Sequence, residues 1–183
     1  MLIGICGKSG SGKTTLANSF KEKYHDIIHL DIDKIGHEVL EYENVKEKLI
    51  EAFGNNILTN NQVDRKKLGK IVFNFKDKMN KLTDITWFYM EELIDKEINN
   101  NKDKTIILDW QLLPKTKYFT MCDIKIFLDT DFDIRKERAI KRDKIENDAF
   151  LLREKASYSY DYKEFDYVIK NNDYKKINEV INL

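Results

Sequence analysis

Five short apolar runs punctuate the chain, at Leu2 to Cys6, Ile27 to Leu30, Thr105 to Leu108, Ile124 to Leu128 and Tyr167 to Ile169, each bounded by charged or turn-forming residues. Short, mainly apolar runs of this length predict strands buried on both faces. Between them apolar positions recur at helical spacing, as at Leu16, Ala17 and Phe20, and predict helices. Strands alternating with helices define an α/β fold, a five-stranded parallel sheet between two helical layers. Asp33, Asp64, Asp133 and Asp173 each precede a helical pattern and are read as caps, and the single proline, Pro114, falls outside every proposed helix.

About seventy residues separate the second and third runs, far more than one crossover helix needs. Val39, Leu40, Leu49, Ile50 and Phe53 predict one helix there, Leu68, Ile71, Val72 and Phe75 a second, and Met79, Leu82, Ile85, Tyr89, Leu93 and Ile98 a long third. The expected organisation is a single domain. Its core covers about 1–33 and 101–183, with a helical insertion of about 34–100.

Composition narrows the classes of function. With 183 residues, 42% hydrophobic and 35% charged, the chain has the make-up of one globular domain. Lys plus Arg (32) balances Asp plus Glu (32), so no basic excess is present to hold a polyanion and nucleic acid is not the expected partner. No run approaches the ~18 apolar residues of a membrane span, and the first strand begins without a signal-peptide pattern. A cytoplasmic protein is expected. Its two cysteines, Cys6 and Cys122, are placed at opposite strand ends, on the order of 10 Å or more apart, and are expected to be reduced thiols.

The chemistry is concentrated in Gly7-Lys8-Ser9-Gly10-Ser11-Gly12-Lys13-Thr14-Thr15, which fits the G-x-x-x-x-G-K-[ST] phosphate loop between a strand and a helix. Its glycines let backbone N–H groups converge on phosphate oxygens, Lys13 reaches the outer phosphates and the Thr14 hydroxyl ligates Mg²⁺. A nucleoside triphosphate is the expected ligand, and the insertion is the expected acceptor-binding region. Asp31 and Asp33 follow the second run, at the strand end where open parallel sheets bind ligands. By strand alternation they could share a face, one accepting a hydroxyl proton and the other holding the metal's water shell; Asp33 could also cap the next helix. Asp109 ends the third run, a position suited to Mg²⁺ opposite the loop. Arg135, Arg138 and Arg142 are spaced by three and four residues, so they share one helix face and could close over a phosphoryl group. His25, His29 and His37 show no metal-ligand spacing and are read as structural or surface residues.

The order of these motifs resembles the dephospho-CoA kinases along nearly the whole chain. Asp31-Ile32-Asp33-Lys34-Ile35-Gly36-His37-Glu38 looks like the family's Asp-x-Asp segment. Phe53-Gly54-Asn55-Asn56-Ile57-Leu58 and Val63 to Phe73 resemble its distinctive stretch within the insertion, and Arg138-x-x-x-Arg142-Asp143 its lid. The resemblance implies a P-loop NTPase three-layer α/β/α fold with an Arg-bearing lid over about 138–157, ATP and Mg²⁺ as cofactors, and a small-molecule acceptor, dephospho-CoA. It makes Asp33 the base for the acceptor hydroxyl and Lys13 and Arg142 the phosphoryl clamps. Thr14, Asp31 and Asp109 then serve the metal, and Arg138, Asn171 and Asn172 the nucleotide. Two segments depart from the family pattern: Trp87-Phe88 stands where it has His-Pro, and Asp109-Trp110-Gln111-Leu112-Leu113-Pro114-Lys115 where it has Asp-Ile-Pro-Leu-Leu-Phe-Glu. Both tryptophans of the chain sit at these departures. Either the acceptor wall is rebuilt for a different aromatic ligand or the pair repacks the core.

Two other functions stay open at this point: a kinase of another nucleoside or nucleotide, whose uridine-type members carry similar loops, and an accessory nucleotide-binding protein without transfer activity. A GTPase is disfavoured, because in Asn101-Lys102-Asp103-Lys104 the aspartate comes one residue too early to read guanine.

Overall fold

The computed structural model describes residues 1–170, which form two compact units. The first comprises Met1 to Ile32 with the chain from Asn100 onward, and the second Asp33 to Asn99.

In the first unit the five apolar runs become five parallel strands: β1 (Leu2–Cys6), β2 (Ile27–Asp31), β5 (Thr105–Asp109), β6 (Ile124–Asp129) and β7 (Tyr167–Lys170), in the spatial order β2-β5-β1-β6-β7. Strand β1 is central and all five of its residues are buried. Helix α1 (Lys13–Lys23) presses Leu16, Ala17 and Phe20 onto Ile3, Ile5, Ile27, Ile107, Ile126 and Leu128. Leu113 and Cys122, which lie beside the short helix α6 (Lys117–Met121), pack against Gly4, where an added Cβ would stand 2.9 Å from both side chains. The Cys122 sulfur therefore lies beside the middle of β1. Both thiols are free and buried, and burial pushes Cys122 up to about 12 and Cys6 further in the same direction. Helices α7 (Phe132–Asp143) and α8 (Asn147–Lys155) follow β6.

The second unit is helical, with α2 (Ile32–Val39), α3 (Glu43–Phe53), α4 (Arg65–Val72) and the long α5 (Lys76–Asn100). Val39, Leu40, Val45, Leu49, Ile57, Val63, Leu68 and Val72 are buried in it. Tyr89 of α5 joins α3: Asn44 donates to its hydroxyl at 3.0 Å, and the Tyr42 ring meets it edge-on at 6.3 Å.

Several sequence expectations change. The single helix drawn through Val39 to Phe53 is two, α2 and α3, interrupted at residues 40–42. A hairpin of β3 (Leu58–Thr59) and β4 (Gln62–Val63) was not expected; Asn60 and Asn61 turn it with positive φ. Asp64 does cap α4, accepting the N–H groups of Lys66 and Lys67. Asp133 is not a cap, because α7 begins one residue earlier with Asp131 at that position. Asp33 likewise lies inside the first turn of α2, which starts at Ile32, so strand alternation does not carry Asp31 and Asp33 to one face. The cap proposed at Asp173 lies outside the described residues.

Candidate active site

The loop from Gly7 to Gly12 leaves the buried central strand and enters α1. Three of its glycines, Gly7, Gly10 and Gly12, take positive φ values of 149°, 80° and 93°. The turn closes through the Ser11 N–H, which donates to the Lys8 carbonyl at 3.0 Å. Lys13 and Thr14 begin α1, so its N-terminal end points at the loop's concavity, where the helix dipole favours an anion.

Asp109, at the end of β5, collects the groups around that concavity. Thr14 Oγ1 donates to its Oδ2 at 2.7 Å, Lys13 Nζ lies 4.0 Å from Oδ1, and His29 Nε2 lies 3.3 Å from Oδ2. Burial pushes the Asp109 carboxyl up, but the His29 hydrogen bond, the Lys13 charge and the Thr14 hydroxyl outweigh it and hold the group below its ordinary value. It is a carboxylate at neutral pH. Asp31 sits beside it in register on β2, half-buried. A hydroxyl and carboxylates at one sheet edge are hard oxygen donors, and Mg²⁺ uses one or two such groups together with phosphate oxygens and water. Thr14, Asp109 and Asp31 fit that ion. Asp33 is exposed in α2, within the second unit.

The arginines divide. Arg135 is not free to close over a phosphoryl group as its spacing suggested: it is buried, donates Nε to the Thr130 carbonyl at 3.0 Å, and binds Glu154 through Nη1 at 2.8 Å and Nη2 at 3.0 Å. Arg142 is exposed, lies 3.4 Å from Ser9 Oγ and pairs with Asp143, which Arg153 also holds. Arg138 is half-buried on the same helix, while Thr15 is exposed on α1. Lys8 pairs with Glu154 at 2.8 Å, and with Phe127, Asp129, Thr130, Arg135 and Tyr162 it lines a cavity of about 110 Å³. Asn171 and Asn172 lie outside the described residues. Sequence reasoning missed the parts played by His29, Thr130 and Glu154. The pairing of β2 with β5 brings His29 to Asp109, and no spacing announces it.

Of the departing tryptophans, Trp110 follows β5 as a buried residue whose backbone N–H donates to the Ile5 carbonyl at 3.1 Å. Trp87 is half-buried on α5 beside Phe88, which is 60% exposed.

A phosphate loop after the central strand of this sheet, with a lysine and a threonine facing a strand-end aspartate, defines a P-loop nucleotide-binding fold of the kinase type. A family profile described as dephospho-CoA kinase matches residues 1–176. The chain is 36% identical to the dephospho-CoA kinase of Fusobacterium nucleatum, over 94% of this chain and 90% of that protein. Among solved structures it resembles TT1252 from Thermus thermophilus (TM-score 0.80, 20% identity, 98% and 95% covered). It also resembles the dephospho-CoA kinase from Campylobacter jejuni (TM-score 0.58, 21% identity, 97% and 92% covered). The chain belongs to the dephospho-CoA kinase family, which is a family of ATP-dependent phosphotransferases. Among the described residues no helix is long and apolar enough to cross a membrane.

Proposed function

We propose that this chain transfers the γ-phosphoryl group of ATP to the 3′-hydroxyl of dephospho-CoA. The observation that carries the reading is the convergence of Thr14 and Lys13 on the carboxylate of Asp109 at the mouth of the phosphate loop. In this reading the backbone of Gly7 to Thr15 cradles the phosphates, and Lys13 and Arg142 hold the moving phosphoryl group and neutralise its developing charge. Thr14, Asp109 and Asp31 hold Mg²⁺, directly or through water; when bound, the ion shields phosphate charge and orients the outer phosphates. Asp33 accepts the proton of the attacking hydroxyl, Arg138 of the lid serves the nucleotide, and Asn171 and Asn172 serve its adenine side. The helical unit binds the acceptor. Catalysis rests on positioning and charge, with no covalent intermediate on the protein.

The test is a coupled ADP-release assay with ATP and Mg²⁺ on dephospho-CoA and a panel of nucleosides and nucleoside monophosphates, with product masses measured. One added phosphate on dephospho-CoA is expected. The aromatic pair Trp87 and Phe88, half-buried and exposed where the family pattern has His-Pro, favours one second reading, an altered acceptor. Turnover of another acceptor alone would establish it, and nucleotide binding with no transfer would make the chain an accessory protein.

A further inference from the structure

The phosphate loop is gripped from its outer side by groups that lie outside its motif. Arg135 Nη1 donates to the Ser9 carbonyl at 3.5 Å, and Thr130 Oγ1 donates to the Ser11 carbonyl at 3.1 Å. Because a trans peptide is planar with its C=O and N–H opposed, an outward carbonyl on Ser9 or Ser11 turns the N–H of Gly10 or Gly12 the other way. A nest for phosphate oxygens requires that orientation. Gly10 also lies so close to α7 that an added Cβ would stand 2.3 Å from the Arg135 carbonyl oxygen.

The cations of this wall end on one carboxylate. Glu154, in the last turn of α8, accepts Arg135 Nη1 on Oε2 at 2.8 Å, and on Oε1 both Arg135 Nη2 at 3.0 Å and Lys8 Nζ at 2.8 Å. The side chains of Arg135 and Glu154 are only 7% and 17% exposed, so salt screens the pair weakly. The Arg135 hydrogen bond, with Lys8 adding to it, holds the Glu154 carboxyl below its ordinary value in spite of its burial. A bidentate arginine pair is directional, so the carboxylate fixes where the Arg135 fork lies as well as neutralising it.

We infer that Glu154 is a positioning residue of the phosphoryl-donor site: by holding Lys8 and Arg135 on one carboxylate it sets the shape of the phosphate loop for a nucleoside triphosphate. It touches neither donor nor acceptor and acts through the two cations. The inference rests on the donor reading proposed above and deepens it.

Glu154→Gln keeps the side-chain shape and removes the charge. MgATP and magnesium triphosphate are titrated calorimetrically into the full-length wild type and variant without acceptor, and amide hydrogen exchange is followed over residues 7–12. The variant is expected to bind both ligands about tenfold more weakly, with faster exchange in the loop. If Glu154 merely lowered the local positive potential, its neutralisation would tighten triphosphate binding, so unchanged or tighter binding overturns the inference. In a Lys8→Met background the effect of Glu154→Gln is expected to shrink, because one of its two routes is gone; full additivity overturns it. Should Glu154→Gln fail to fold, Glu154→Asp carries the test. It keeps the charge but is one methylene shorter, and weakening of about threefold with faster loop exchange is expected, wild-type values again overturning the idea. A wild type that does not bind MgATP overturns the donor reading and this inference together, whereas a binding wild type with an indifferent variant removes only the inference.

Discussion

Replacing Gly10 with alanine separates two costs that glycine avoids in this loop. Gly10 has φ +80°, and holding an L-residue in left-handed backbone costs about 1–2 kcal/mol. The new Cβ would also stand 2.3 Å from the Arg135 carbonyl oxygen and 3.0 Å from its carbonyl carbon and Cα. These are backbone atoms, so no side chain can rotate away, and either the loop or the first turn of α7 must shift. Overpacking of that kind costs about 1–3 kcal/mol, giving a total of roughly 2–5 kcal/mol. For a domain of this size that lowers Tm by about 5–15 °C. Gly54→Ala is the control: at φ +82° and ψ 167° it lies in backbone space open essentially to glycine, with nothing within 4 Å of the added Cβ, so it meets a backbone cost alone, of about 1–3 kcal/mol. Thermal melts of both variants, with calorimetric MgATP titrations, read the difference. Gly10→Ala should melt below Gly54→Ala and lose nucleotide affinity, while Gly54→Ala keeps it. A Gly10→Ala protein melting within about 2 °C of wild type, or no lower than Gly54→Ala, would refute the reasoning.

Three further outcomes are expected. Lys13→Ala should reduce turnover by about two to three orders of magnitude in a steady-state assay, as loss of a transition-state donor does; full activity would remove Lys13 from the mechanism. Gly36→Ala, inside α2, should raise Tm by about 2 °C, because alanine favours helix and the added Cβ meets only the flexible end of Met90 at 3.3 and 3.5 Å; a lower Tm would mean that Met90 cannot yield. Asp109 and Glu154 both have carboxyls held below their ordinary values, so their stabilisation is present above the unfolded value of about 4 and is lost as pH falls through the native one. The urea midpoint should therefore drop between about pH 5 and pH 3, less so in Glu154→Gln, and a midpoint flat across that interval would contradict it.

The strands were legible because each is a short, mainly apolar run, interrupted at His29 in β2 and Lys125 in β6; central β1 is buried throughout, whereas β7 alternates between half-buried and exposed residues. The loop was legible because its glycines and its lysine must stand at fixed spacing to wrap a phosphate. The break between α2 and α3 was not, since Val39, Leu40, Val45 and Leu49 are all buried and the apolar pattern runs straight through it. Hairpin strands of two residues, Leu58–Thr59 and Gln62–Val63, are too short to show a period. Arg135 reads like Arg138 and Arg142 by spacing, and its burial and its bonds to Thr130 and to Glu154, nineteen residues on, set it apart. His29 and Asp109 meet through strand register, a tertiary property that local pattern does not encode.

Among the described residues strand β2 bonds only to β5, and the second unit lies between the two in sequence, so Ile27 finds Thr105 and Asp31 finds Asp109 across more than seventy intervening positions. Non-local pairings of this kind are the slow part of folding, whereas the local turns of α5, 25 residues long, form in about a microsecond. As a rod of about 37 Å, α5 replaces flexible coil on the way back to β5 and shortens the loop that must close. Docking of β2 is thereby paced by the inserted helices. Until it docks, β5 offers an apolar open edge to any neighbouring chain, which makes refolding yield depend on protein concentration even though the finished sheet keeps β5 covered.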